Sequence, residues 1–363
     1  MKNSFRIELL PARHGDSLWI EYGDSATPSR LLIDGGPIGA YPALDQRVAQ
    51  LKPGDREIEL LVITHVDGDH IEGAVRLVAA HRADLSFREV WFNGWRHLER
   101  KPGLLGSVQG EFLSALIAKF VGEPRWNCSP PFAGGALVVA TDTPPVATLA
   151  GGMRLTLLSP TPKKLEKLQK QWKKDVTKAG FAPGDLEKAL ERLKDARRLV
   201  PKGLLGGGYQ TAPKPGKLDA SVANGSSIAF LAEYAGKRCL FLADAHPDAL
   251  IESLRKLGAT KSAPLAVDAL KLPHHGSSGN YSPELYDLVS CRRFLVSTNG
   301  DQFDHPDPEV IEALIARGIP KLELHFNHLT DTTKPWSDKR DQTKRRFKAF
   351  YPKTSAGGIT VAL

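Results

Sequence analysis

Cysteine is scarce in this chain: Cys128, Cys239 and Cys291 are the only three, widely spaced and odd in number. That excludes a disulfide scaffold and, with no CxxC pair, a thiolate zinc finger; a reduced compartment is expected. No uninterrupted apolar run is long enough to span a bilayer. The opening residues, MKNSFRIELLPARHGDSLWIEYG, mix charges into their apolar positions and lack a signal-peptide core. Together these absences lead to the expectation of a soluble, cytoplasmic protein with no membrane partner. The glycine-rich stretch GLLGGGYQ is not followed by Lys-Ser/Thr, so it is no phosphate loop. HGDS lacks the G-x-S-x-G elbow, which argues against a serine hydrolase.

What is present is globular: 41% hydrophobic and 25% charged over 363 residues, enough for one large α/β domain or two ordinary ones. The formal charge of +8 is placed unevenly. Residues 161–220 hold 15 Lys/Arg against 7 Asp/Glu, and the remainder is balanced at 34 of each sign. A localised basic block suits an anionic partner such as nucleic acid, with a solvated helical surface as the plain alternative.

Alternating patterns predict strands at FRIELLPA, DSLWIEY and RLLIDGG, separated by turn residues. IELLVIT (58–64) reads as a buried strand, REVWFNGW and MRLTLLSP as further strands, and GEFLSALIAKFVG as a helix. Residues 161–200 change to two charged helical patterns, followed by the Gly/Pro-rich tract PKGLLGGGYQTAPKPGK. The reading is a single domain, 1–363, carrying a basic helical insertion at 161–220 that projects from the core and ends in a flexible tail. The core pattern resumes with SSIAFLAEYAGKRCLFLAD, a hairpin turning at Ala235-Gly236. Strands and helices then alternate, with final strands at KLELHFN and GGITVAL, which favours a layered α/β architecture.

The chemistry concentrates in ITHVDGDHIEGAV. His65, Asp67, Asp69 and His70 follow an apolar strand and precede Ile71, Ala74, Val75 and Val78 at helical spacing, so they occupy a strand-to-helix turn. Two carboxylates crowded against two imidazoles need a positive charge between them, and a divalent cation is the natural candidate. Such a turn could hold one ion or two. Asp244, ending RCLFLAD, and His274-His275, ending ALKLP, are potential ligands at two further strand ends, where α/β proteins place their sites.

These motifs resemble a metallo-β-lactamase-fold hydrolase, and within that superfamily the ComEC/Rec2-like hydrolase domain. The cluster is HxDxDH where the superfamily has HxHxDH. HGDSLWIEYG with LLIDGG, NGSSIAFLAEYAGKRCLFLAD, LKLPHHGS and STNGDQFDHPDPEVIEAL follow in that branch's order, from about residue 5 to 315. The resemblance implies an αββα sandwich of two mixed β-sheets flanked by helices. It implies metal ligation by His65, Asp67, Asp69, His70, Asp244 and His274, with Asp244 bridging two ions and Asp34 as a supporting acid. Asp69 and His275 would then take part in catalysis. Which of His274 and His275 ligates is left open, and their side chains are expected to diverge, one towards substrate. A third histidine has no clear counterpart: His97 is a candidate, but a loop histidine is the simpler reading, and His81 and His246 read as helix-end residues. With Asp67 in place of an imidazole the donors are harder, so Mn2+ competes with Zn2+.

His305 lies in the loop FDHPDP and is read either as a phosphate contact or general acid, or as a loop histidine satisfied by backbone. Asn224, Ser227 and Asn299 could line a pocket or stabilise turns. The expected function is a metallo-hydrolase, a phosphodiesterase or nuclease acting on DNA or RNA through a metal-bound hydroxide. The alternatives are a small-ester, lactam or thioester hydrolase of the same fold, or a non-catalytic binding module with part of the metal site.

Overall fold

The computed structural model describes residues 3–80, 84–98, 108–199 and 218–363. The first strands are β1 (Asn3–Leu9), β2 (Leu18–Asp24), β3 (Ser29–Ile33), β4 (Glu57–Val62) and β5 (Ser86–Trp91). Next come β6 (Val146–Thr148), β7 (Arg154–Ser159), β8 (Ala229–Tyr234), β9 (Lys237–Phe241), β10 (Leu265–Ala266) and β11 (Ala269–Lys271). The last are β12 (Val289–Ser290), β13 (Arg293–Val296), β14 (Leu322–Phe326), β15 (Phe347–Phe350) and β16 (Ile359–Ala362). They form a six-stranded sheet, β16-β1-β2-β3-β4-β5, and an eight-stranded sheet, β15-β14-β13-β11-β9-β8-β7-β6, with β10 and β12 as a small pair. Both large sheets are mixed. In the first, β3, β4 and β5 run parallel; in the second, β9, β11, β13, β14 and β15 do.

The two sheets face each other across a core that includes Ile7, Leu60, Val62, Phe230, Phe241 and Leu295. Helices α1 (Tyr41–Ala49), α2 (Gly68–Ala79), α3 (Trp95–Leu98), α4 (Val108–Leu116), α5 (Pro162–Lys178) and α6 (Leu186–Leu199) belong to the first sheet's outer side. The short α7 (Val222–Gly225) precedes β8, and α8 (Pro247–Lys256), α9 (Pro283–Asp287), α10 (Pro308–Ala316) and α11 (Lys339–Arg345) belong to the second half. The result is a helix–sheet–sheet–helix sandwich. No described helix is long and apolar enough to cross a membrane.

This layering explains the unbroken apolar run at 60–63. Leu60 and Val62 point between the sheets, while Leu61 and Ile63 pack beneath the helices. A strand covered on both faces needs hydrophobic residues at every position, each contributing about 1.5–3 kcal/mol when fully buried. The hairpin reading holds in detail: β8 and β9 are joined by Ala235 (φ 49°) and Gly236 (φ 76°), with Tyr234 paired to Lys237. Two left-handed residues give the turn whose twist matches the flanking strands.

One expectation changes, and two features go beyond the sequence reading. KLELHFN and GGITVAL are strands, but β14 sits in the second sheet and β16 in the first. The strand FKAF (β15) was not anticipated; only Phe347 and Ala349 are buried, too short an alternation to register in sequence. The charged helices do not project. Leu165, Leu168, Trp172 and Val176 line one face of α5 and join the core beneath the first sheet. Trp172 Nε1 donates to the buried Glu111 carboxylate of α4 at 3.0 Å. The lysines take the opposite face, as an amphipathic helix requires. The tail expected at 201–217 lies outside the described residues.

Candidate metal centre

All the strands that bear candidate ligands present their carboxyl ends at one edge of the sandwich. Asp34 follows β3, the 65–70 turn follows β4, Asp244 follows β9, and His274-His275 follow β11. Close backbone approach brings the loops together. The N–H of Asp16 donates to Asp69 O at 3.2 Å, and that of Gly35 to His70 O at 2.8 Å. At Gly15 a Cβ would fall 1.8 Å from Asp69 O, so only glycine lets the HGD loop reach the cluster. Four non-glycine residues around the site adopt left-handed backbone: Asp34, Ala243, His274 and His275, with φ of 58°, 46°, 45° and 56°. Such conformations are disfavoured and persist where surrounding structure dictates them.

The hydrogen bonds fix how each ring is presented. His70 Nδ1 lies 2.8 Å from Asp34 Oδ2, and His275 Nδ1 lies 2.8 Å from the Ser297 carbonyl. His274 Nδ1 is 2.7 Å from Asn280 Oδ1, whose amide nitrogen donates to the Asp244 carbonyl. Thr64 Oγ1 donates to Asp34 Oδ2 at 2.7 Å and so accepts from His65 Nδ1 at 3.0 Å. Each of these short-range partners is an acceptor, which places the proton of each neutral ring on Nδ1 and leaves Nε2 as a lone-pair donor.

Those Nε2 atoms converge. His65, His70, His274 and His275 place Nε2 at 3.8, 3.3, 3.7 and 3.8 Å from Asp244 Oδ2. Asp69 Oδ2 is 3.5 Å from His275 Nε2 and 3.8 Å from that of His70. Asp67 Oδ2 is 3.7 Å from His65 Nε2. Two overlapping ligand triads result, His65–His70–Asp244 and Asp69–His70–His275. His65 Nε2 and Asp244 Oδ1 are buried with no hydrogen-bond partner among the described residues. Orphaned buried donor atoms of mixed imidazole and carboxylate type fit a divalent cation.

The electrostatics agree with that fit. Burial opposes charge on His70, His274 and His275, yet Asp244 leads the groups that outweigh it, and His274 is raised to about 9. Burial, then His70, pushes His65 down to about 3, keeping it neutral. Asp69 and Asp244 are held below the usual carboxylate range, because the nearby imidazoles, His70 first, overcome their burial. The pocket stabilises positive charge.

No family model matches this chain, and no curated protein does. Among solved structures it is similar to YhfI, a metallo-β-lactamase fold protein from Bacillus subtilis, at 12% identity and TM-score 0.43, covering 100% of both chains. It is similar to CmlA, a diiron β-hydroxylase from Streptomyces venezuelae, at 12% identity and TM-score 0.43, covering all of this chain and 55% of that one. The chain thus spans about half the length of CmlA. The metallo-β-lactamase MIM-2 is similar at 12% identity and TM-score 0.30, covering 75% of this chain and 82% of that one.

Of the sequence candidates, His65, Asp67, Asp69, His70, Asp244, His274 and His275 meet at one place. The two adjacent histidines do not diverge as expected; both aim Nε2 at Asp244. His305 is buried beside them, its ring centroid 5.4 Å from that of His274 and its Nδ1 2.9 Å from Asp307 Oδ1. His97 is elsewhere: it packs edge-on against Trp126, with centroids 4.8 Å apart, and belongs to neither triad. His246 stands at the start of α8, and His81 lies outside the described residues. Asn224 is 3.5 Å from His274 Nδ1, Ser227 is buried next to Ile228, whose N–H bonds Thr64 O, and Asn299 bonds Asp301 in the loop at the rim.

Of the supporting residues, sequence reasoning found Asp34 and missed the rest. Lys271 is fully buried in β11 and lies 2.8 Å from Asp16 Oδ2, while Asp16 Oδ1 is 3.4 Å from His275 Nδ1. A buried lysine demands such a partner. The signals were a lysine inside an apolar strand and the aspartate of HGDS. Asp219 and Asn280, which flank His274, carried no local signal.

Proposed function

We propose that this chain is a metal-dependent hydrolase and that its substrate is a phosphodiester in DNA or RNA. The observation that carries the reading is the convergence of four Nδ1-anchored imidazoles with Asp67, Asp69 and Asp244, at one edge of the sandwich. His65, Asp67, Asp69, His70, Asp244, His274 and His275 would hold one or two ions, Zn2+ or Mn2+. A bound ion would supply Lewis acidity, acidifying water and screening phosphate charge.

The chain's own groups do the rest. Asp34 and Ser297 hold His70 and His275 by Nδ1, so their ligand geometry is set before substrate arrives. His305 is kept in place by Asp307, and its buried Nε2 is left to exchange a proton with a departing oxygen. Burial lowers the pKa of His305 while Asp307 opposes the shift, which favours the neutral ring.

The polyanion part of the reading rests on the basic segment and on the motif resemblance to the ComEC/Rec2-like domain. Lys163, Lys167, Lys170, Lys174 and Lys178 of α5 are exposed. Cations held on a packed helix can neutralise successive phosphates and release counterions. The test is elemental analysis of protein purified without chelators, coupled to a screen of DNA, RNA and small phosphodiesters. Metal-dependent turnover of nucleic acid is expected. Metal uptake with turnover of small esters alone would move the substrate to that class. Absence of bound metal would leave a binding module.

A further inference from the structure

The basic segment reaches the metal centre from both of its ends. Near its start, Lys164 of α5 places Nζ 2.9 Å from Asp248 Oδ2 and 2.8 Å from His246 Nδ1. An ammonium only donates, so His246 accepts at Nδ1 and carries its proton on Nε2. That Nε2 faces Asp219 Oδ2 at 3.6 Å. Near the segment's end, Asp219 is anchored by three contacts: its N–H donates to Gly279 O at 2.9 Å, Oδ1 accepts from Ser221 N at 2.8 Å, and Oδ2 accepts from Asn224 Nδ2 at 2.8 Å. The same Oδ2 stands 3.4 Å from His274 Nδ1, behind the ring whose Nε2 points at Asp244. Only 4% of the Asp219 side chain is exposed, so its charge acts at short range with little screening.

We infer that Lys164, His246 and Asp219 form a relay of contacts that positions His274, so that the basic segment governs how tightly the His274 side of the centre retains its ion. The inference rests on the metal-centre reading. Asn280 Oδ1 holds His274 Nδ1 at 2.7 Å, and Asp219 adds a buried negative charge behind the same nitrogen. An acid behind a ligand imidazole fixes its orientation and increases its basicity, and loss of such a partner costs about 10- to 100-fold in metal affinity. Asp219 is a positioning residue here: it touches the ligand, not the ion.

The experiment is chelator competition for Zn2+ and, in parallel, Mn2+ on the full chain, with the stability of the metal-free protein measured alongside. Asp219→Asn is expected to weaken retention of one ion by about 10- to 100-fold. In a His274→Ala background the same change should add nothing, because the support then has no ring to act on. Lys164→Met, at the far end of the relay, should act in the same direction by a smaller factor. It carries the test alone if Asp219→Asn does not fold. Wild-type affinity in both variants would overturn the inference, as would an Asp219→Asn effect that persists undiminished without His274. A wild-type chain that takes up neither ion would overturn the metal reading itself, before any variant is compared.

Discussion

His70 Nε2 and His275 Nε2 face each other at 3.2 Å although the residues are 205 positions apart. With both Nδ1 atoms committed to acceptors, two neutral rings would oppose lone pair to lone pair. Only a shared proton or a cation makes the arrangement favourable. Zn2+ or Mn2+ is therefore expected to raise the melting temperature, and a chelator to lower it. An ion present at 100 times its dissociation constant adds about 2.7 kcal/mol, which corresponds to a shift of several degrees at most for a chain of this length. Identical melting curves with and without chelator would remove the cation from the explanation.

The pH dependence should split into two opposing trends. His274 is raised from 6.5 to about 9, so in the metal-free protein its contribution is complete below pH 6.5 and is lost as pH rises towards 9. Asp67, raised from 3.8 to about 7 by burial and then Asp69, weakens the metal-free fold in the same direction between those values, tempered by its 32% exposure. Metal binding must displace the same protons and so strengthens with pH. Urea unfolding of the metal-free chain from pH 6 to 9 should show falling stability, while ion affinity climbs. Parallel trends would contradict the charge assignment.

Lys271→Met should be costly although the side chain touches no ion. It strands the buried Asp16 carboxylate, now held below its usual range as Lys271 and His275 overcome burial. Breaking one side of a buried pair costs about 3–5 kcal/mol. Denaturant titration measures this, and a loss below about 1 kcal/mol would mean that Asp16 is satisfied by other groups.

Asp69 and His305 should separate binding from proton transfer. Asp69→Ala is expected to abolish turnover with loss of metal while the core stays folded, because Asp69 lies on the turn and not among the packed apolar side chains. His305→Gln should reduce turnover by about 10²- to 10⁴-fold with metal content unchanged. Metal loss in His305→Gln would make it a ligand instead.

The lysine face of α5 is best tested by charge and not by deletion, since the helix buries Trp172 in the core. Replacing Lys163, Lys167, Lys170, Lys174 and Lys178 by Gln should weaken nucleic-acid binding. The slope of log affinity against log salt should shrink by about 0.7–0.9 for each phosphate that is no longer neutralised. An unchanged slope would leave those lysines as a solvated surface.

The sequence by itself determined the features that depend on neighbours along the chain. Both-face burial wrote the unbroken run before His65, the two-residue turn wrote Ala235-Gly236, and the strand-to-helix turn wrote the spacing of His65, Asp67, Asp69 and His70. Tertiary structure alone decided what depends on partners far apart in sequence. Nothing near Asp219 marks it as the neighbour of His274, and nothing near Asp16 marks Lys271 as its counter-charge. The direction of His275 was likewise set at a distance, by the Ser297 carbonyl at the end of the adjacent strand. Local periodicity encodes which face of a strand or helix is covered; the groups that meet across that cover are fixed only when parallel strands bring their carboxyl ends to a common edge.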